Sequence, residues 1–189
     1  MRKLILGLAF LVCACVGTTP QSTFYTLSTI TEAPVVYEKA KMFVGVGNVS
    51  VPVYLDRPQM VTRDKNQVEL VVSELNRWSE PLGDAMQTAL ADDLAVYMPN
   101  ATIKPTSYRQ EKFDYVVWVE VNRFDGTWGK TADLSVWWSI FDGNGKLKAR
   151  EKTDLQRKLG KKYEELAIKD SELVGELAGV IAQKLAKMK

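Results

Sequence analysis

The sequence has no histidine, and its only cysteines are Cys13 and Cys15. Without histidine the chain cannot form a Ser-His-Asp triad, a Cys-His pair or a His-ligated zinc or iron site. These absences exclude the commonest routes to hydrolytic and metal-assisted catalysis. We therefore expect a protein that is not an enzyme and that holds no metal or other cofactor.

The chain also lacks a real excess of charge of either sign. It has 25 Lys and Arg residues against 23 Asp and Glu residues, and only Arg2 and Lys3 are charged before Cys15. Without that leader, 23 basic residues balance 23 acidic ones. Nucleic-acid binding requires an excess of lysine and arginine that displaces counterions, so no nucleic-acid partner is expected. The 189 residues are enough for one domain with a hydrophobic core.

The N-terminal stretch has the order of a secretory signal. Arg2 and Lys3 supply the positive residues, and the run at 4–12 is apolar. This run is shorter than the about 20 residues that a membrane-spanning helix needs. The stretch is therefore typical of a signal and not of a transmembrane anchor.

The letters "VCAC" that end this run resemble a bacterial lipobox. The small residue Ala14 directly precedes Cys15, whereas Cys13 follows Val12, which is too bulky for the position before a cleaved bond. We predict a signal peptide over 1–14 that is removed with Cys13. Cys15 then becomes the acylated N-terminus, with palmitate among its fatty acids, and several acyl chains on one residue give stable anchoring.

The mature chain is predicted to begin with an acylated tether at 15–22, whose small and polar residues form a short flexible linker. Val16 and Gly17 follow the cysteine without the aspartate that retains enteric lipoproteins in the inner membrane. This favours a lipid anchor in the outer membrane, on its periplasmic face. The folded domain is predicted to cover 23–189.

Segments rich in β-branched and aromatic residues predict the strands of this domain. The predicted strands are 23–27, 41–52, 66–72, 113–124, 133–141 and 146–156. The letters "DGNG" at 142–145 predict the turn of a hairpin. Pro52 and Pro58 argue against a regular central strand, so 53–63 is predicted to be an ordered loop.

Two helices are predicted from apolar residues that recur at helical spacing. The first begins near Ser79, a good N-cap, and ends before Pro99, and the second runs from Glu164 to Lys187. The order of strands, helix, strands and helix predicts an α+β fold in a single domain. We expect an antiparallel or mixed sheet with both long helices packed on one of its faces.

Three carboxylates on or between the later strands are candidates for acid catalysis. Glu120, Asp125 and Asp133 include pairs that would suit a glycosidase, but their spacing fixes no separation between the carboxylates. Solvated strand faces carry such residues routinely. We favour that interpretation over catalysis.

Tryptophans and lysines on two predicted strands suggest binding surfaces and not catalytic sites. Trp137 and Trp138 are adjacent on a strand, so at least one must face away from the core, as a lipid or carbohydrate platform, as a protein interface or packed under a loop. A basic stripe on the following strand would suit anionic lipid or an acidic partner, although a solvated face or protected sheet edge explains it as well. Its residues are Lys146, Lys148, Arg150 and Lys152.

Two motifs carry a resemblance to a known family. "VPVYLDRPQMVTR" at 51–63, followed by "NRWSEPL" at 76–82, resembles the signature of the PqiC (YmbA) lipoproteins, the ABC-type transport auxiliary lipoprotein family. An early "FYTL" and the strand "VGVGNVSVP" agree with the same family. The resemblance covers nearly the whole mature chain behind its lipobox.

The resemblance implies an outer-membrane lipoprotein that faces the periplasm. Its implied partners are an integral inner-membrane protein and an MCE-domain protein that forms a tunnel between the two membranes, in a system that moves lipid and maintains envelope integrity. A ring-shaped MCE partner would also favour a homo-oligomer, because symmetric partners tend to match.

The family has no catalytic residues to carry over, but it implies a motif that orders the loop or binds a partner. We expect these residues to hold the loop against the first helix, with Asp56 or Glu80 paired to an arginine. The motif residues are Tyr54, Leu55, Asp56, Arg57, Pro58, Gln59, Arg63, Arg77, Trp78, Glu80 and Pro81.

Two other functions stay open at the level of sequence. The domain would instead hold lipid or another hydrophobic ligand in an apolar cleft between sheet and helices. A periplasmic hydrolase that uses carboxylates alone is the third hypothesis, for which Glu120 and Asp125 would be required.

Overall fold

Eight strands and two helices make up the described part of the chain, which is residues 20–38, 41–106 and 112–188 of a computed structural model. The strands are β1 (Thr23–Tyr25), β2 (Phe43–Ser50), β3 (Gln59–Arg63), β4 (Leu70–Trp78), β5 (Thr102–Pro105), β6 (Tyr115–Thr127), β7 (Thr131–Asp142) and β8 (Leu147–Lys158). The helices are α1 (Leu82–Tyr97) and α2 (Tyr163–Leu185). The predicted signal peptide, Cys15 and the first residues of the tether lie outside the described residues.

The strands form one mixed sheet, and β6 is the strand on which it is organised. Along one side β6 pairs antiparallel with β7, which in turn pairs antiparallel with β8. Along its other side, the first part of β6 pairs parallel with β2, and its last two residues pair parallel with β3. The sheet therefore divides at β6 into a β2–β5 branch and a β3–β4–β1 branch.

Both helices pack against each other and cover one face of the sheet. The long β-branched and aromatic strands supply the inner face, and α1 and α2 supply apolar stripes that meet it. Trp138, Leu94 and Leu177 are among the side chains that this core buries. Burial of each such side chain stabilises the fold by about 1.5–3 kcal/mol. The predicted α+β domain is confirmed.

Local turn chemistry and strand alternation are also as predicted. The amide of Gly145 donates a hydrogen bond to the carbonyl of Asp142 at 2.8 Å, and the φ of +78° at Gly145 is one that glycine adopts without strain. Trp138 points into the core and its indole N–H donates to Thr153 at 2.9 Å, while Trp137 points out of the opposite face.

The prediction of a loop throughout 53–63 is wrong in its second half, because β3 occupies Gln59–Arg63 and lies between β4 and β6. Pro58 sits just before the strand, where its missing N–H interrupts no ladder. Its carbonyl still accepts a hydrogen bond from the amide of Trp78 at 2.7 Å. A proline at this position ends the preceding turn and does not prevent the strand.

Element boundaries differ from the predictions by a few residues at several strand ends, and the largest differences lie around β4, β5 and α1. The third predicted strand continues to Trp78, and β5 was not predicted. Helix α1 begins at Leu82 after Pro81, without a side-chain cap. Ser79 is not the N-cap because its amide donates to the carbonyl of Tyr25 at 2.8 Å, which ties the residue to the sheet. The second helix agrees with its prediction within two residues at each end.

Candidate functional site

The two halves of the sequence motif meet in space on the β3–β4 pair. Gln59 at the start of β3 is the register partner of Arg77 near the end of β4. The hydrogen bond from Trp78 to Pro58 follows directly, so both motifs contribute to one ladder. The indole of Trp78 is buried and stacks at 6.3 Å, centroid to centroid, on the ring of Phe124 in β6.

A tight turn precedes β3 and positions the tyrosine of the motif. The amides of Leu55 and Asp56 donate to the carbonyl of Pro52, at 2.8 and 3.2 Å, and Leu55 is buried beneath the turn. The turn therefore places the Tyr54 hydroxyl beside β6, where it donates to an oxygen of Asp125 at 2.9 Å.

A cluster of charged side chains fixes this turn and β3 on the centre of the sheet. We call it the polar cluster, and it consists of Tyr54, Arg63, Arg123, Asp125 and Asp133. The Nε atoms of Arg63 and Arg123 each lie 2.9 Å from the Asp125 carboxylate, and Arg123 also reaches Asp133 at 2.8 Å. The side chain of Asp125 is fully buried, so three donors replace its water.

Electrostatics in the polar cluster favour a structural role over acid–base catalysis. Two arginines balance two carboxylates, and Asp125 accepts hydrogen bonds from three side chains without access to solvent. Burial raises the pKa of Tyr54, and the negative charge of Asp125 raises it further. Removing one partner from a buried ion pair leaves an uncompensated charge, which lowers the free energy of unfolding by about 3–5 kcal/mol.

A third acid, Asp170 of α2, lies close enough to interact with the carboxylates of the cluster. Burial, with a smaller contribution from the charges of Asp125 and Asp133, raises the pKa of Asp170 well above its usual range. Burial in this place therefore disfavours the charged form of the Asp170 carboxyl group. Within the described residues, no group of acidic or cysteine side chains is arranged to hold a metal ion.

Strand β4, in the β3–β4–β1 branch of the sheet, exposes apolar side chains on both of its faces. Val71 and Val72 are neighbours in β4 and therefore point to opposite sides, yet they are 43% and 40% exposed. Leu70 and Leu75 of β4 and Phe24 of β1 are exposed as well. We call these five residues the apolar edge.

The backbone of the apolar edge is open to a further strand. On its outer side β4 pairs with β1 only at Asn76–Trp78, and no described strand pairs there with residues 70–75. Edge strands are normally protected by charge, proline or a covering element. The opposite edge, β8, follows that rule with Arg150 and Lys152, whereas the open stretch 70–75 has a single charged residue, Glu74, and Leu70–Val72 has none.

Of the motif residues, only Tyr54 and Arg63 belong to the polar cluster, and none belongs to the apolar edge. Asp56 and Glu80 are exposed, and neither forms an ion pair in the described part of the chain. Arg63 pairs instead with Asp125, which the sequence analysis treated only as a weak catalytic candidate. Arg123 was not singled out, and the only local signal was its position two residues before Asp125 in a strand.

An open groove of about 530 Å³ lies elsewhere, between the segment 25–32 and α2. Its walls combine hydroxyl groups with the carboxylates of Glu32, Glu164 and Glu172 and a few apolar side chains, including Ile168. With three carboxylates in its wall and an open mouth, the groove differs from the pockets that enclose hydrophobic ligands and bury most of their surface. No helix in the described residues is long and apolar enough to cross a membrane.

Comparison with solved structures shows that this fold has been seen before. A crystal structure of an uncharacterised protein superposes with a TM-score of 0.72 at 20% identity and covers 88% of this chain and 99% of its own. A Xanthomonas campestris protein of the family DUF330 superposes with a TM-score of 0.69 at 14% identity and covers 86% and 95%. At these identities the similarity concerns the fold alone. No curated protein matches by sequence.

The fold and the site define an α+β domain built around an ordered turn and an exposed strand. The sequence profile of the ABC-type transport auxiliary lipoprotein component matches residues 25–182. The chain therefore belongs to that family, and the resemblance drawn from its motifs is confirmed. The family is one of transport auxiliary lipoproteins, which is not a class of enzyme.

Proposed function

We propose that the protein is an outer-membrane lipoprotein that acts as a non-enzymatic docking subunit of an MCE-type lipid transport system. Acylated Cys15 anchors it in the outer membrane, and the folded domain faces the periplasm. Its partners are the MCE-domain protein that bridges the membranes and, through it, the integral inner-membrane component. The family supports an auxiliary role in transport.

The observation that carries the docking role is the apolar edge. Val71 and Val72 expose apolar surface on both faces of a strand whose outer backbone groups pair with no described strand along 70–75. An added partner strand would satisfy those backbone groups and bury both faces at once, as in recognition by β-strand addition. The occupant is therefore an extended apolar segment of the MCE-domain protein.

The motif gives this edge its rigidity. Arg63 and Tyr54 tie β3 to buried Asp125, and the pairing of Gln59 with Arg77 holds β4 on β3. A rigid edge loses less conformational entropy on binding than a mobile one, which raises affinity without new contacts. The motif residues thus act on the partner through the position of β4.

Anchoring in the membrane adds to affinity through effective concentration. A lipid anchor confines the domain to the surface where the end of the partner arrives, so a modest interface suffices. A ring-shaped partner has several equivalent edges, which favours binding of several copies of the lipoprotein around it.

The alternative function, in which the domain itself holds lipid, receives less support. The space between sheet and helices is filled by side chains such as Leu94, Trp138 and Leu177. The groove beside α2 has a lining rich in hydroxyl and carboxylate groups. Lipid that stays bound to the folded domain through a washing step that removes free lipid would support this alternative function.

Capture of the partner from detergent-solubilised envelopes tests the proposal. Full-length lipoprotein is the bait, beside Val72→Lys and a matched control, Ile168→Lys, in which a side chain of similar exposure on α2 is changed. We expect Val72→Lys to lose the MCE-domain protein and Ile168→Lys to retain it, with both variants folded. Equal recovery by both would contradict docking at β4, and recovery of no transport component by the wild type would contradict the proposed role.

A further inference from the structure

The face of β6, β7 and β8 that is turned away from the helices carries an exposed aromatic surface. Trp118 of β6 and Trp137 of β7 are 41% and 37% exposed and lie diagonally to one another, since Trp118 pairs with Ser139 and Glu120 pairs with Trp137. Leu147, at the start of β8, is also exposed on this side of the hairpin. We call Trp118, Trp137 and Leu147 the tryptophan face.

The two indoles are held against the sheet and do not fold back into the core. Three ring atoms of Trp118 lie 2.9–3.0 Å from where a Cβ on Gly47 would stand, so the ring lies across a position that only glycine leaves open. The Arg150 guanidinium lies 5.3 Å from the ring centroid of Trp137 and donates to both oxygens of Glu120, at 3.2 and 3.1 Å. These contacts keep apolar area at the surface.

Unpaired positive charge lies at one end of this face. Arg150 is neutralised by Glu120, and Lys152 by Asp154 at 2.9 Å. Lys146 and Lys148 flank Leu147, are exposed, and form no ion pair within the described residues. This end of the hairpin therefore combines an apolar side chain with two uncompensated cations.

A lipid surface suits this face better than a protein strand does. The backbones of β6 and β7 are paired on both sides, so the tryptophan face leaves no ladder of backbone groups open. Apolar surroundings penalise open backbone groups, which is why the apolar edge suits a protein and this face suits lipid. Tryptophan and lysine are the side chains that the membrane interface favours, because each joins an apolar body to a polar end.

The tether allows the face to reach the membrane. The eight residues of the proposed tether, 15–22, span at most about 28 Å when extended. From β1 to β8 there are five strand spacings, or about 24 Å. A lipid anchor attached before β1 is therefore compatible with contact between β6–β8 and the same membrane.

We propose that the tryptophan face rests on the anionic phospholipid surface of the membrane that anchors the protein, with Lys146 and Lys148 on the headgroups. This inference rests on the proposed anchoring through Cys15 and does not depend on the transport partner. Contact through the face orients the domain, whereas the lipid alone would leave it free to rotate about the tether.

Quenching of tryptophan fluorescence by brominated phospholipid tests this directly. The full acylated protein is placed in vesicles of phosphatidylethanolamine and phosphatidylglycerol that contain brominated acyl chains. We expect quenching in the wild type and loss of most of it in the double variant Trp118→Phe, Trp137→Phe. The control Trp128→Phe changes a half-buried indole that packs on Tyr163 and should keep the quenching. Equal quenching in wild type and double variant would overturn the proposal.

Charge is tested separately from aromatic contact. Changing Lys146 and Lys148 to Ala should reduce quenching by about half or more, because each lysine near an anionic surface contributes several-fold to partitioning. Changing Lys158 and Lys162 to Ala, beyond the other end of the face, should leave it unchanged.

The outcomes also separate this proposal from the proposed function. If the protein floats with the vesicles but its tryptophan fluorescence is not quenched, the lipid anchor is supported and contact of the tryptophan face with the membrane is refuted. Loss of partner capture in the double tryptophan variant, without quenching in the wild type, would assign the face to a protein instead.

Discussion

Asp93 provides a quantitative test of how the N-terminal segment is held. This segment follows β1 and lies against both helices. The amide of Ile30 donates to Oδ1 of Asp93 in α1 at 2.8 Å. The side chain of Ile30 packs where a Cβ on Gly175 of α2 would stand. Asp93 is fully buried, and its Oδ2 has no hydrogen-bond partner in the described residues. Burial raises the pKa of Asp93 to about 6.

The sign of the effect follows from proton linkage. Folding raises the pKa of Asp93 from 3.8 to about 6, so the folded state holds this proton to higher pH than the unfolded state does. The stabilisation by the proton is complete below about pH 4 and is lost as the pH rises through 6. At about 1.4 kcal/mol per pKa unit, the full cost at pH 7 is roughly 2–3 kcal/mol.

The substitution Asp93→Asn copies the protonated form and keeps the Oδ1 acceptor for Ile30. We expect this variant to exceed the wild type in free energy of unfolding by about 2–3 kcal/mol at pH 7 and to equal it near pH 4. Urea unfolding of residues 20–189, followed by tryptophan fluorescence between pH 4 and pH 7.5, measures the difference. Asp92→Asn changes the exposed neighbour and should show little of this effect. A difference that does not grow with pH would refute the reasoning.

Three further predictions concern buried side chains. Asp125→Ala should lower the free energy of unfolding by about 3–5 kcal/mol, because Arg63 and Arg123 lose their buried partner; a loss below 1 kcal/mol in urea unfolding would make the polar cluster dispensable. Trp78→Ala should cost about 3–5 kcal/mol and also weaken partner capture, whereas undiminished capture would separate the motif from docking. Asp170→Asn should keep or raise the melting temperature at pH 8, because burial and the nearby carboxylates of Asp125 and Asp133 disfavour a charge on Asp170; a large fall would show that its charge is needed.

Local features of the sequence predicted the parts of the fold that depend on short-range physics. The glycine-containing turn at 142–145 required a φ near +78° that glycine adopts freely, and the hairpin formed there. The apolar stripe of α2 gave its limits within two residues at each end. Trp137 and Trp138 had to diverge because successive strand side chains alternate. Each of these depends on neighbours within a few residues.

A single sequence does not show which residues far apart in the chain contact one another in the fold. Arg63 and Asp125 are 62 residues apart, and no local pattern marks them as partners. For the same reason β3 was missed: five residues after a proline carry a weak strand signal, and their place between β4 and β6 is set by partners elsewhere in the chain. The exposure of Val71 and Val72 on both faces is likewise a property of the assembled sheet. The acylation of Cys15 stays a prediction from a local motif.

The twist of the sheet reconciles the two surfaces proposed for this domain. Three strand steps separate β4 from β7, and neighbouring strands rotate by about 20–25° each, so β4 turns by roughly 60–75° relative to β7. When the tryptophan face lies on the lipid, β4 therefore lies at a steep angle to the membrane surface and not flat against it. A flat sheet would leave both in one plane and bring the apolar edge down to the headgroups. In the proposed arrangement, the twist keeps the open strand from lying flat on the lipid and leaves it accessible to the proposed partner.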